Sequence, residues 1–193
     1  MSIKPPTYPL DHPEIRESVS RLCEDFPGEY WRKCDREQAY PGEFVKALTE
    51  AGFLGALIPE SYEGSGLPLS AGAAILEEIH RSGSNAGACH AQMYTMGTLL
   101  RHGSEAQKEK YLPAIARGEL RLQAFGVTEP TSGTDTTALR TTAQRVDDHY
   151  VVNGQKIWTS YAQFADWIFC LVRTDNSGSK HEGIRFVLFD MDQ

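Results

Sequence analysis

The hydrophobic pattern of this chain changes near residue 120, and that change limits the folds that the chain can adopt. Before it, apolar residues such as Ile15, Val19 and Leu22 recur three and four positions apart, which is the spacing of one face of an α-helix. After it, short β-branched and aromatic segments alternate with polar turns, which is typical of strands. We therefore predict an α+β fold, with an all-α helical bundle over residues 1–120 and an antiparallel, β-barrel-like domain over residues 121–193.

Local signals place helices in the first part and a loop between them. The spacing of apolar residues predicts a helix that begins near Pro13 and further helices over residues 44–48 and 71–81. Ser104 and Gln107 have the spacing of a capping box, so a helix is expected to open there and to run through Tyr111, with a break or a restart at Pro113. Residues 58–70 (IPESYEGSGLPLS) are rich in Gly, Pro and Ser, which indicates an ordered loop.

Strand signals follow in the second part. The strand candidates are residues 141–146, 150–152, 167–172 and 184–189. Asn153-Gly154 lies between Val152 and the strand-like residues 156–158, and this dipeptide predicts a hairpin turn. A final strand so close to residue 193 would leave an unpaired edge, so we expect these residues to be the front part of a larger architecture.

Composition argues against several classes of protein. The formal net charge of −7 gives no general attraction to nucleic acid, and no apolar run approaches the roughly 20 residues that a membrane span needs. The four cysteines are scattered without a CxxC pair, which indicates reduced thiols and predicts no metal site. Since the N-terminal residues also lack an apolar signal segment, we expect a cytoplasmic protein.

Two segments after residue 120 carry the most chemical information. Residues 124–135 (AFGVTEPTSGTD) surround one Glu-Pro step with small and hydroxylated residues, and residues 153–167 (NGQKIWTSYAQFADW) place Trp158 directly before two hydroxyls. Hydroxyl and N–H donors favour the negative charge that a flavin gains on reduction, and a Gly-containing loop can present N–H groups to a pyrophosphate. Taken singly, the first segment could be an ordinary turn and Trp158 a core residue.

These segments resemble the two signatures of the acyl-CoA dehydrogenase family. Residues 125–135 are similar to the first signature and residues 153–160 to the second, and the similarity continues in the same order over most of the chain. It implies the family's N-terminal helical domain and most of its middle β domain, with the C-terminal helical domain outside these residues. Three positions depart from the family pattern: Glu63 replaces a usual glycine, Thr134 a common serine, and Ser160 a common threonine.

The resemblance implies an enzyme that carries out FAD-dependent α,β-dehydrogenation of an acyl-CoA thioester. The positions implied to contact FAD are Phe125, Val127 and Thr128 at the isoalloxazine, Gly133 and Thr134 at the pyrophosphate, Trp158 over the flavin face away from the substrate, and Thr159 and Ser160 at the O4 and N5 edge. Thr134 would also touch the acyl-CoA. The family's catalytic glutamate belongs to its C-terminal domain, so no catalytic residue is assigned in this chain, and Glu129 is interpreted as structural.

The resemblance also implies partners. They are an electron-transfer flavoprotein or a similar acceptor, and further copies of the chain in a homodimer or homotetramer. Two alternatives stay open. One is a related flavin oxidase or monooxygenase on the same scaffold, and the other is a non-catalytic fragment or subunit of such an enzyme.

Overall fold

The computed structural model describes residues 11–192, in which a helical part is followed by a five-stranded sheet. The α-helices within this range are α1 (Pro13–Glu24), α2 (Gly28–Glu37), α3 (Gly42–Glu50), α4 (Leu69–Arg81), α5 (Gly87–His102) and α6 (Glu105–Ala116). The strands are β1 (Leu122–Gly126), β2 (Thr142–Val146), β3 (His149–Asn153), β4 (Trp167–Arg173) and β5 (Ile184–Asp190). Single 3₁₀ turns lie at Glu60–Tyr62, Thr136–Ala138 and Ala162–Phe164. The predicted α+β class is confirmed.

Helix starts follow the sequence signals closely. Pro13 opens α1, where the missing N–H of proline has no helical partner to lose, and the helix buries Val19. The capping box at α6 is confirmed, because Ser104 Oγ accepts a hydrogen bond from Gln107 N at 3.3 Å and Gln107 Oε1 accepts one from Ser104 N at 2.9 Å.

The predicted break at Pro113 is wrong, because α6 continues through this residue to Ala116. The neighbouring side chains of Leu112 and Ile115 are 0% and 1% exposed and pack in one apolar cluster with β1. Burying two such side chains contributes about 3–6 kcal/mol. That contribution offsets the roughly 3 kcal/mol that a proline costs inside a helix.

The sheet is mixed and open, which corrects the antiparallel, barrel-like description. β1 and β4 pair in parallel, whereas β2 with β3 and β4 with β5 pair antiparallel. A single parallel bridge between Thr142 and Arg173 joins β2 to β4. Within residues 11–192 the strands run in the order β1-β4-β2-β3, with β5 on β4, and they do not close into a barrel. The parallel pair arises from β1, a buried strand that the sequence patterns did not indicate.

The hairpin predicted at Asn153-Gly154 is also wrong. β2 and β3 are joined instead at Asp147 and Asp148, and Asp147 adopts the positive φ of 53° that this turn requires. Beyond β3 the chain leaves the sheet and crosses the start of β2, where a β-carbon at Gly154 would collide with Thr141. The glycine therefore permits a close crossing of two chain segments rather than a turn.

Glu63 keeps the backbone conformation that explains why glycine is usual at its position. Its φ is 67°, in the left-handed region that few non-glycine residues adopt. The Glu63 carboxylate lies 2.6 Å from Arg117 Nη1 on the turn that follows α6. The loop before α4 is thus held against α6 by an ion pair on the protein surface.

The helices and the sheet share an apolar cluster that fixes β1. Met96 of α5, Ile115 of α6 and Leu122 of β1 are all 2% exposed or less and belong to this cluster. Gln123 of β1 is 1% exposed, and its Nε2 donates to the Tyr40 hydroxyl at 2.8 Å. Because β1 is anchored to the helices in this way, the segment that leaves its end has a defined starting point.

Candidate functional site

Two loops meet at the edge of the sheet. The first loop, residues 127–135, leaves β1, and the second loop, residues 154–161, leaves β3. Ile157 N donates to the Thr128 carbonyl at 2.9 Å, and Lys156 Nζ donates to the Val127 carbonyl at 3.2 Å. The structure therefore brings together the two segments that carry the chemical information in the sequence.

The first loop folds back on itself and exposes its glycine. Glu129 and Ser132 form a β-bridge in which each N–H donates to the other's carbonyl, at 2.8 and 3.2 Å. A β-carbon at Gly133 would lie 3.9 Å from Thr128 Cγ2, so these two predicted cofactor-contacting residues are neighbours. Gly133 and Thr134 are exposed, and within residues 11–192 their N–H groups donate to no other backbone group. Such free donors fit an anionic group such as a pyrophosphate.

Glu129 anchors the first loop from below. Its side chain is 3% exposed, and its carboxylate accepts hydrogen bonds from Arg140 N at 2.7 Å, Thr141 N at 2.9 Å and Lys156 Nζ at 2.8 Å. Burial alone would raise the pKa of Glu129, but the hydrogen bonds from Lys156, Thr141 and Arg140 outweigh it and lower the pKa to about 2. The carboxylate is ionised at neutral pH and fully engaged, which agrees with the structural interpretation of this residue.

Trp158 stands at the tip of the second loop. The residue is 84% exposed, and its backbone has a φ of 59°, which is rare for a bulky side chain. Its carbonyl accepts a hydrogen bond from Ser160 N at 3.0 Å, which tightens the turn over Thr159. Backbone strain of this kind is found mainly at functional sites, so the exposed ring is a candidate wall for a planar ligand.

The far end of the second loop is fixed to the helices by Tyr161. This half-buried residue has a φ of 63°, and its ring lies edge-on to Tyr40, with 6.2 Å between centroids. Its hydroxyl faces Gly87 at the start of α5, where a β-carbon would lie 2.5 Å from it. The second loop is therefore held at Lys156 on one side and at Tyr161 on the other.

Phe125 lies on β1, before the first loop begins. It is half-buried on β1, and its ring packs edge-on against Tyr94 of α5 at 5.1 Å and Phe169 of β4 at 4.7 Å between centroids. Val127 and Thr128 follow it and are also half-buried. The first loop thus begins in packed surroundings and becomes exposed toward Gly133.

Sequence patterns missed Lys156 and Tyr161, which fix the second loop. Lys156 lies where a strand was predicted, and the one signal that could have identified it was the need of a buried Glu129 for a cation. Tyr161 had no local signal, since its partners Tyr40 and Gly87 are distant in sequence.

The described residues lack two features that would indicate another kind of site. Residues 11–192 contain no group of three or more His, Cys, Asp or Glu side chains that could hold a metal ion. In the same range no helix has the length and apolar character that crossing a membrane requires.

Comparisons with known proteins fit this arrangement. The model of the acyl-CoA dehydrogenase N-terminal domain matches residues 9–119, and that of the middle domain matches residues 124–193. Acyl-CoA dehydrogenase FadE29 of Mycobacterium tuberculosis (strain ATCC 25618 / H37Rv) is 40% identical over 178 residues, which cover 92% of this chain and 45% of the relative.

Solved structures agree with the sequence comparisons. The crystal structure of an acyl-CoA dehydrogenase from Geobacillus kaustophilus superposes with a TM-score of 0.87 at 28% identity, covering 98% of this chain and 50% of that one. The steroid ACAD Tcur3481-Tcur3483 superposes with a TM-score of 0.78 at 33% identity, covering 100% and 50%.

The fold and the site define a helical domain joined to a mixed sheet, with two linked polar loops beside an exposed aromatic ring. The chain belongs to the acyl-CoA dehydrogenase family, and matches it over the family's N-terminal and middle domains. It spans about half the length of the curated relatives that it matches. The cofactor contacts inferred for individual residues stay predictions.

Proposed function

We propose that the protein carries out FAD-dependent α,β-dehydrogenation of an acyl-CoA thioester, and that this chain supplies the flavin-contacting loops and part of the acyl pocket. The observation that carries the proposal is the junction of the two loops through Ile157 and Thr128, beside the exposed ring of Trp158. When bound, FAD supplies the acceptor for the hydride that leaves the β-carbon of the substrate.

The residues of this chain would bind and orient the cofactor. Thr128, with Phe125 and Val127 beside it, would offer a hydroxyl to the isoalloxazine, while the free N–H groups of Gly133 and Thr134 would hold the pyrophosphate. Trp158 would cover one flavin face, with Thr159 and Ser160 donating to the O4 and N5 edge, and Thr134 would also contact the acyl-CoA.

The proton-abstracting group is proposed to lie outside these residues. Glu129 is unsuited to that role, because its carboxylate is buried and bonded to three donors. In keeping with the family, we assign the base to a glutamate of a C-terminal helical domain. A cytoplasmic location, assembly as a homodimer or homotetramer, and electron transfer to an electron-transfer flavoprotein or similar carrier belong to the same proposal.

FAD binding tests the proposal directly. We expect the chain to quench flavin fluorescence on titration and to retain the yellow cofactor through gel filtration. Thr128→Val, which removes a hydroxyl and keeps the shape, is expected to weaken binding of the oxidised cofactor by up to about tenfold, the upper end of the net contribution of one hydrogen bond between neutral groups. Ser18→Ala, at an exposed site on α1, is the matched control and should bind as the wild type does. If Thr128→Val and Trp158→Ala both bind FAD as tightly as the wild type does, the assignment is contradicted.

A second candidate is a subunit that works only beside a different chain. The steroid ACAD Tcur3481-Tcur3483 covers all of this chain, and its name joins two designations. This observation favours the second candidate. A chain that binds FAD only when a related protein is co-expressed would support this second candidate. Oxygen consumption measured beside dye reduction separates a dehydrogenase from an oxidase on the same scaffold.

A further inference from the structure

The second loop is fastened to the first by a buried charge pair. The side chains of Lys156 and Glu129 are 10% and 3% exposed, and Lys156 Nζ lies 2.8 Å from Glu129 Oε1. The ammonium also donates to the Val127 carbonyl, so the same cation contacts both ends of the segment from Val127 to Glu129. In a pair so well shielded from water, loss of either partner leaves an uncompensated buried charge.

The carboxylate of Glu129 links three chain segments. Besides Lys156, it receives the backbone N–H groups of Arg140 and Thr141, directly before β2. The two N–H donors cannot be served by a side chain that only donates. The position therefore requires a hydrogen-bond acceptor as well as a negative charge.

The loop that this pair fastens is under strain. Trp158, two positions beyond Lys156, has a positive φ and an exposed ring, so few packing contacts of its own hold that conformation. A non-glycine residue in the left-handed region is strained, and it persists there only when its surroundings fix it. The attachments that flank it are Lys156 with the Ile157–Thr128 hydrogen bond on one side and Tyr161 on the other.

We propose that Glu129 and Lys156 are positioning residues, whose buried pair sets the register of the second loop on the first and thereby orients Trp158. The effect on the loop is a property of the chain itself. Its consequence for FAD binding rests on the proposed function.

Fluorine NMR of the chain labelled with 5-fluorotryptophan measures the environment of Trp158 on the second loop without any cofactor. The chain has three tryptophans, and the resonance of Trp158 is assigned by its loss in Trp158→Phe. Lys156→Met is expected to move or broaden the Trp158 resonance while those of Trp31 and Trp167 keep their positions. Lys108→Met is the matched control, because Lys108 also lies 2.9 Å from a carboxylate, that of Glu105, but the Glu105 side chain is 72% exposed and the pair lies on α6, outside both loops.

Further variants separate positioning from simple charge balance. Lys156→Gln keeps an N–H donor and is the variant to use if Lys156→Met does not fold, with the same displacement expected. The exchange Glu129→Lys with Lys156→Glu should not restore the Trp158 resonance, because a lysine at 129 cannot accept from Arg140 and Thr141. An unmoved Trp158 resonance in a folded Lys156 variant, or full restoration by the exchange, overturns the proposal.

The FAD titration keeps the two proposals apart. If the wild type binds FAD, Lys156→Met and Glu129→Gln should each weaken binding at least tenfold. The double variant should bind no more weakly than the poorer single variant, because both substitutions break the same ion pair. If the wild type does not bind FAD, the proposed function fails for this chain. The Trp158 resonance of the unliganded variants still decides the positioning role.

Discussion

Trp158 keeps its side chain exposed in a strained backbone conformation that costs stability. Its ring is 84% exposed and contributes little to the core, while its backbone has the left-handed φ of 59°. A loop under no functional constraint would place glycine or asparagine at such a position. An exposed, strained tryptophan is therefore the residue-level observation that most favours a ligand at this surface.

Substitution of Trp158 should invert the usual order of glycine and alanine. At most sites Gly destabilises relative to Ala, but at a positive φ the β-carbon of Ala retains the strain that Gly releases. We expect Trp158→Gly to be more stable than Trp158→Ala by about 1 kcal/mol in urea unfolding. Both variants should bind FAD more weakly than the wild type. A more stable Trp158→Ala would show that the backbone is not strained there.

Position 87 needs glycine because the hydroxyl of Tyr161 leaves no room for a β-carbon, and not because of its backbone conformation. A β-carbon at Gly87 would lie 2.5 Å from that hydroxyl and 2.9 Å from Asn85 Oδ1. We expect Gly87→Ala to destabilise the chain by about 1–3 kcal/mol, the usual range for overpacking, and to loosen the second loop. Adding Tyr161→Phe removes the colliding oxygen and should recover much of the loss. Thermal unfolding of the single and double variants measures both effects, and no recovery would place the strain elsewhere.

At the scale of elements, the sequence was informative where burial is one-sided. α1, α3 and α4 each have an apolar stripe and a polar face, so their spacing predicted them. The bounds of α5 were not predicted, because most of its circumference is buried and its small and apolar residues therefore show no clear stripe. β1 escaped because a short strand buried on both faces lacks alternation.

The candidate site was predictable in its motifs but not in its supports. The hydroxyl- and glycine-containing segments were visible as local patterns, and the structure places them side by side. The contacts of Lys156 with Glu129 and of Tyr161 with Tyr40 join residues far apart in the chain, and no local pattern encodes such pairs. The predicted turn at Gly154 was wrong for a related reason. The glycine is needed there because the chain passes close to Thr141, which a local pattern does not encode.

Two glycines in different elements should respond oppositely to alanine. Gly97 lies inside α5, and a β-carbon there would have nothing within 4 Å, whereas a β-carbon at Gly64 would collide with the backbone of Ile58. Gly97→Ala is expected to stabilise the chain by about 0.5–1 kcal/mol, because alanine is the better helix former. Gly64→Ala is expected to destabilise it by about 2–4 kcal/mol, because buried Ile58 cannot move aside. Urea unfolding of the two variants tests the pair, and the same sign for both would contradict it.

At the scale of the whole molecule, the site depends on both the helical part and the sheet. The helices fix β1 through the apolar cluster around Met96 and Leu122, and they receive the second loop at Tyr161. The sheet supplies the start of β2, whose N–H groups hold Glu129. The loops are thus attached to both parts of the fold. The free energy of unfolding of the whole chain should therefore depend on Glu129, which holds the first loop.

Glu129 should make the stability of the whole chain depend on acid pH. Its pKa is about 2 in the folded chain, below the value of about 4.3 for an unperturbed glutamate, so its ionised form favours folding. This contribution, on the order of 3 kcal/mol, is fully present above pH ~4.3 and is lost as the pH falls from there to about 2. Exposed carboxylates with lowered pKa values, such as Glu119 and Asp135, act in the same direction but remain in any Glu129 variant. The wild type should therefore lose about 2 kcal/mol more than Glu129→Gln in urea unfolding between pH 6 and pH 3. Parallel pH profiles for the two proteins would mean that the Glu129 carboxylate is not selectively stabilised in the folded state.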